Sequence, residues 1–226
     1  GVSEEEALSI SLNYFDISDY DFTQDKGRNC LLQSIQIPQL PNSFKNFSTT
    51  AEEYNKLSFP EITYQANLGL YLKNRGFDPR FLASRYNLFW DLTGDYFGRV
   101  VVPITWNRQI LSWVGRAASE EQFPRYKACK ESVYAPNMFL FDSDNLSGGR
   151  ALVVCEGVFD AMKVTSCLIS GVHGTCLFGN GISEQQVALL ASWSEIYDQI
   201  FICLDKNETM AAVKIQNSLN WYVPNI

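Results

Sequence analysis

Three places in this sequence set acidic or small residues directly after a short apolar run, and in each the spacing suits phosphate chemistry with a hard cation. Glu156-Gly157 follows ALVVC (151–155), Gly174-Thr175 follows ISGVH (169–173), and Asp205-Lys206-Asn207-Glu208 follows QIFICL (199–204). Carboxylates held at neighbouring strand ends can grip a divalent ion against a phosphate, because hard cations prefer oxygen ligands. Each fragment alone has a plainer reading: Glu-Gly is a common turn, and D-K-N-E is a common solvated loop opening a helix. Their joint placement is more telling, since like charges gathered at one edge are costly without a cation between them.

The elements that would position these residues alternate. Ala151 to Cys155 is wholly apolar, as expected of a parallel strand buried on both faces. A helix over Val158 to Leu168, a strand over Ile169 to His173, a helix over Ser183 to Trp193, a strand over Gln199 to Leu204 and a helix over Thr209 to Leu219 follow. That alternation calls for β-α-β units and a parallel sheet, whose ligands bind at the carboxyl ends of the strands.

The preceding part reads differently. Gln65 to Asn74 is predicted helical, with Leu68, Tyr71 and Leu72 on one face and Gly76 at the C-cap. Asp78-Pro79 opens a helix to Tyr86. Arg99 to Ile104 and Gln109 to Val114 read as a hairpin with Thr105 to Arg108 as its loop, and Pro103 favours an edge position for the first strand. Further back, Asp16 to Pro60 reads as an arm or linker with one possible strand at Leu31 to Ile37, and the acidic Ser3 to Tyr14 as a short helix. The expected division is therefore 1–60 arm, 61–149 α+β subdomain with a basic hairpin, and 150–226 parallel α/β domain, with LSGGR (146–150) as the last boundary.

Charge and composition narrow the partners. A net charge of −7 argues against coating nucleic acid through a broad basic surface, so a polyanion must meet a local basic patch. Arg99, Arg116, Arg125 and Lys127, on or beside the hairpin, are the candidates, with Lys130 and Lys163 as lesser ones. The plainer reading of that set is a hairpin edge made unattractive to other strands. Trp106 and Trp113 read as core in preference to base-stacking platforms, and His173 as structural. Six scattered cysteines with no C-x-x-C pair and one histidine leave no zinc ligand set in this segment; most of the cysteines sit in apolar runs and are expected to be buried thiols. Gly1 to Leu8 does not read as a signal peptide and no apolar stretch approaches membrane length, so a cytoplasmic setting in a bacterial cell or phage-infected host is expected, with no membrane partner.

The motifs, taken in order, resemble a known family. VVCEGVFDAMKV (153–164) resembles the E-G-x-x-D-x motif that opens the Toprim domain of bacterial and bacteriophage, DnaG-like, DNA primases. GVHGTCLFGNGISEQQVALL (171–190) is similar to its next β-turn-α unit, and ICLDKNETMAAVKI (202–215) resembles its D-x-D segment. Upstream, YLKNRGFDP (71–79), GRVVVPITWNRQILSWVGRA (98–117), FPRYKACKES (123–132) and MFLFDSDNL (138–146) are similar to primase text in the same order. Two departures stand out: the second D-x-D acid falls on Asn207, beside Glu208, and Met210 occupies a usual glycine position.

The resemblance implies a Toprim-like parallel sheet flanked by helices, preceded by a smaller α+β subdomain. It implies a DNA-directed RNA polymerase of the primase type, joining ribonucleoside triphosphates on a single-stranded DNA template with Mg²⁺ or Mn²⁺, alongside a replicative helicase. On this reading Glu156, Asp160 and Asp205 are catalytic, and Glu156, Asp205, Asn207 and Glu208 hold metal. Arg99, Arg116, Arg125, Lys127, Gly157 and Gly174 bind nucleotide or DNA. Two other readings use the same residues: a Toprim-type nuclease, and a degenerate binding or assembly module favoured by Asn207, Met210 and the acidic balance.

Overall fold

Local signals in the sequence place the helices that frame the later chemistry. The computed structural model describes residues 37–47, 51–130, 134–220 and 222, so the expected helix at Ser3 to Tyr14 and, apart from Ile37, the expected strand from Leu31 lie outside the described residues. Helix α1 is a single turn, Ala51–Tyr54. Helix α2, Phe59–Asn74, opens at Ser58, whose backbone N–H donates to Glu61 at 2.7 Å, with Pro60 in the first turn. It closes in a Schellman motif around Gly76 at φ +74: the Gly76 N–H reaches the Lys73 carbonyl at 2.8 Å and the Phe77 N–H reaches the Leu72 carbonyl at 3.1 Å. Helix α3, Pro79–Tyr86, is capped by Asp78, which accepts from the Arg80 and Phe81 N–H groups.

An antiparallel sheet follows in the order β1 (Phe44–Asn46), β2 (Phe89–Asp91), β3 (Arg99–Trp106), β4 (Gln109–Ala117), β5 (Tyr126–Ala128). The hairpin is present, but β3 and β4 run up to a two-residue turn, Asn107-Arg108, with φ of 53 and 61. Two successive left-handed residues match the twist of the flanking strands. Two expectations need correction. The stretch expected to be an arm contributes β1, and β3 is an interior strand in spite of Pro103. The proline is tolerated because β2 meets β3 at Phe89 opposite Val101 and runs antiparallel away from Pro103, leaving no ladder partner on that side.

Period-two alternation divides this sheet between two cores. Val100, Val102 and Val114 face a large cluster with Leu72, Phe77, Trp90, Phe141 and Phe159. Val101 and Trp113 face a smaller one with Phe89 and Tyr96, against which Phe44 packs. Trp113 is thus fully buried, as the sequence suggested.

The second sheet is parallel, in the order β7 (Val172–Cys176), β6 (Ala151–Cys155), β8 (Ile200–Cys203). Helix α4 (Val158–Ser166) covers one face, through Phe159 and Met162. Helices α5 (Glu184–Trp193) and α6 (Thr209–Leu219) cover the other, through Leu190, Ile215 and Leu219. Fold class and helix order are those expected. Strand β7, however, starts three residues later than expected and runs through Gly174, Thr175 and Cys176. Of the described cysteines only Cys155 and Cys176 are buried; Cys129 is half-buried, Cys167 is exposed at the C-cap of α4, and Cys203 is exposed on the same face of β8 as Phe201.

The shift in β7 removes Gly174 from the binding residues. It is buried inside the strand, its N–H donates to the Thr165 hydroxyl at 3.0 Å, and a Cβ there would lie 2.1 Å from the Ala161 carbonyl oxygen. Its missing side chain lets α4 pack against β7. Gly174→Ala should therefore lower stability by about 1–3 kcal/mol, read by urea unfolding, by forcing helix and strand apart. Among the described residues no helix is long and apolar enough to cross a membrane.

Candidate active site

The carboxyl ends of β6 and β8 are neighbours, with Cys155 opposite Cys203 in the register. The residues that follow them, Glu156 and Asp205, therefore meet at one edge. Both line a cavity of about 570 Å³, together with Asp160 from the first turn of α4 and Gly157 at its N-cap. Gly157 has little room: a Cβ would sit 3.2 Å from the Tyr126 hydroxyl and 3.3 Å from the Asp160 carboxylate. The rest of the lining comes from other elements: Arg75 at the C-cap of α2, Arg116 on β4, Tyr126 on β5, Asn137, and Phe178 and Gly179 in the loop after β7.

The acids repel one another. Burial raises the affinity of Glu156 for a proton, and the charges of Asp205, Glu208 and Asp160 raise it further against a hydrogen bond from the Asp205 backbone. Asp160 is likewise raised, first by burial and then by Asp205, with Arg75 and Arg116 opposing the shift. Oε2 of Glu156 is buried and has no hydrogen-bond partner, which is costly for a carboxylate oxygen unless a cation or donor arrives. Burial also pushes the Tyr126 phenol up to about 12, so it stays a neutral hydrogen-bonding group.

These shifts fix a pH dependence. A carboxyl group whose affinity for a proton rises on folding contributes stability that is present below its unfolded pKa and is lost as pH rises through the folded value. Melting of the divalent-free protein should therefore lose stability as pH rises above the ordinary carboxylate range, about 4, relative to a Glu156→Gln, Asp160→Asn double variant. Added Mg²⁺ should restore more at higher pH than at lower. Equal melting curves for both proteins as pH rises would contradict the repulsion.

Other expected site residues fall elsewhere. Asn207 is exposed and does not line the cavity, because the turn after β8 is closed by the Glu208 N–H on the Asp205 carbonyl at 2.8 Å. Glu208 also lies off the lining and accepts from Asn180 at 3.0 Å. Among the described residues no group of three or more His, Cys, Asp or Glu side chains is gathered closely enough to hold a metal ion unaided.

The basic ridge is split by its own register. Val100, not Arg99, lies opposite Arg116, so the two arginines project from opposite faces of the sheet. Arg116 faces the cavity, its guanidinium 4.6 Å from the Tyr126 ring centre. Arg99 is 2% exposed and donates to the Gly115 carbonyl at 3.2 Å and the Arg125 carbonyl at 3.4 Å, which makes it a structural residue. Lys127 alternates with the cavity-lining Tyr126 and Ala128 and instead pairs with Asp95 at 3.1 Å. Arg125 lies over the Phe123 ring at 5.7 Å, outside the lining. His173 Nδ1 meets the Tyr197 hydroxyl at 2.8 Å, a structural contact as expected.

Sequence reasoning missed Arg75, Asn137, Phe178 and Gly179. Arg75 stands inside the quoted YLKNRGFDP, one residue before the C-cap glycine, and a helix end aimed at the sheet was the available signal. Phe178 carried none: it holds φ 61, a left-handed backbone no local motif announces in a phenylalanine.

No protein-family model matches the chain, and no curated protein matches it. Solved structures do. The E. coli primase catalytic core aligns with TM-score 0.53 and 18% identity, covering 68% of this chain and 60% of that one. A DnaG primase catalytic domain bound to single-stranded DNA aligns with TM-score 0.52 and 17% identity, covering 67% and 60%. The primase fragment of the bacteriophage T7 primase-helicase protein aligns with TM-score 0.50 and 19% identity, covering 68% and 60%. The chain thus spans about 60% of the length of each. Over about two thirds of its own length, this chain has the fold of the DnaG-type primase catalytic core.

Proposed function

We propose that the chain is the nucleotidyl-transferring part of a DNA primase, extending a ribonucleotide chain on a single-stranded DNA template. The observation that carries this is one cavity receiving three carboxylates from the parallel sheet and its first helix, and two arginines from α2 and the antiparallel sheet. A triphosphate with its divalent ion needs both signs of charge side by side. Mg²⁺ or Mn²⁺ is the cofactor such a donor set suits: Mg²⁺ is commonly bound through one or two carboxylates, with substrate phosphates and water completing the shell. Glu156, with its unpartnered Oε2, and Asp205 would hold it. When bound, the ion would offset charge on the reacting phosphate and favour ionisation of the attacking hydroxyl.

The remaining work falls to the protein. Arg75 and Arg116 take phosphate oxygens through paired N–H donors and orient the triphosphate. Asp160, attracted by both arginines and repelled by Asp205, keeps their guanidinium groups turned to the cavity. As the primer 3′-hydroxyl attacks the α-phosphorus and pyrophosphate departs, the hydroxyl proton passes to water, because an ion held by Glu156 would keep that carboxylate ionised. The related folds support the partners: one is a primase domain bound to single-stranded DNA, another comes from a primase-helicase, so a DNA template and a replicative helicase are proposed for this chain as well.

The test is synthesis of labelled RNA on single-stranded DNA from ribonucleoside triphosphates with Mg²⁺ or Mn²⁺. Template-dependent oligoribonucleotides are expected, and none with either ion would refute the proposal. A second reading, a binding module without catalysis, is favoured by the outward position of Asn207 and Glu208. It predicts template or nucleotide binding with no product.

A further inference from the structure

We infer that Lys163 is a positioning residue that sets Arg75 in the cavity, an inference that rests on the nucleotide-binding reading above and deepens it. Arg75 is the C-cap of α2, between its last residue and the left-handed glycine, where the chain end is prone to fray. The Schellman bonds serve the Leu72 and Lys73 carbonyls, and Lys163 supplies a donor from a different helix to two beyond them, those of Arg75 and Gly76. Its Nζ lies 2.6 Å from the Gly76 carbonyl oxygen and 3.4 Å from that of Arg75, and 4.8 Å from the Phe77 ring centre. An ammonium at a helix C-terminus is also favoured by the helix dipole.

The approach depends on Gly76, since a Cβ there would stand 2.9 Å from Nζ. Lys163 itself does not line the cavity. It sits three residues after Asp160 on α4, a spacing that places both on neighbouring parts of one helix face. One helix therefore presents a carboxylate to the cavity while its lysine holds the backbone that carries the opposing arginine. The Arg75 guanidinium then rests 5.6 Å from the Phe159 ring centre and 5.9 Å from that of Tyr71, next to the acids. Without the clamp, the backbone at the end of α2 loses its side-chain hydrogen bonds from α4 and keeps the ring contacts with Phe159.

The probe is ATP with Mg²⁺, titrated into the whole chain, together with the Arg75 Nε–Hε resonance in ¹⁵N spectra. Lys163→Met keeps an apolar stem over Phe77 and removes the ammonium. It should weaken ATP by about two- to fivefold and shift or broaden the Arg75 resonance, while Lys163→Arg stays within about twofold of the parent. In an Arg75→Ala background, Lys163→Met should change ATP affinity no further. Unchanged affinity with an unchanged resonance overturns the inference, as does an equal loss in the Arg75→Ala background. If the parent binds no ATP, the nucleotide reading fails; the Arg75 resonance still decides the clamp, since an unaltered signal in Lys163→Met refutes it.

Discussion

On the proposed function, Glu156→Gln and Asp205→Asn are each expected to reduce RNA synthesis on single-stranded DNA by a factor on the order of a thousand, with melting in the absence of divalent ions unchanged or raised. The activity loss follows from taking one charged oxygen donor from a site that offers few. With Asn207 and Glu208 off the lining, no second acid on the β8 turn is placed to substitute for Asp205. The stability outcome follows from the electrostatics. Burial and three neighbouring carboxylates disfavour the charged form of Glu156, so a neutral amide relieves repulsion. A variant that lost activity by unfolding would show the opposite sign in melting. Both variants making RNA at the parental rate would remove these acids from the mechanism.

The two arginines that bracket the hairpin should behave as different kinds of residue. Arg116→Ala is expected to weaken ribonucleoside triphosphate binding by roughly ten- to a hundredfold, the size of a lost charge-assisted hydrogen bond, with little change in urea unfolding. Arg99→Ala should do the reverse. It empties the space of a buried side chain and removes its donor from the Gly115 carbonyl, while the Arg125 carbonyl keeps the Ala117 N–H at 2.9 Å, and costs about 1–3 kcal/mol of stability while nucleotide affinity in the folded fraction holds. Matched affinity losses in both variants would show that the two face one ligand, against the register of β3 and β4.

That pair also shows what the sequence could reveal. The hairpin was legible because two β-rich runs flank a polar turn, and the acids were legible because short apolar runs end at Glu156 and next to Asp205. The face on which each arginine lies was not, because parity in a strand pair depends on register: the pairing set by the Asn107-Arg108 turn would, if continued, bring Arg99 opposite Arg116, and a β-bulge between Ile104 and Thr105 shifts it by one residue so that Val100 takes that place. The true end of β7 was hidden for a related reason. Gly174 looks like a turn residue by composition, yet here it serves close helix packing, a tertiary demand with no local trace. Arg75 belongs to the same class: its role comes from where α2 stops relative to a sheet far along the chain.

The large apolar cluster has a mechanical consequence. Trp90, Val100 and Val114 from one sheet share it with Cys155, Phe159 and Cys176 from the other half, directly behind the arginines and carboxylates. Spreading these walls would open a void between close-packed side chains, so the gap width is set by the interior and not by loops. A ligand that enters the cavity therefore meets walls whose separation the apolar interior has fixed in advance.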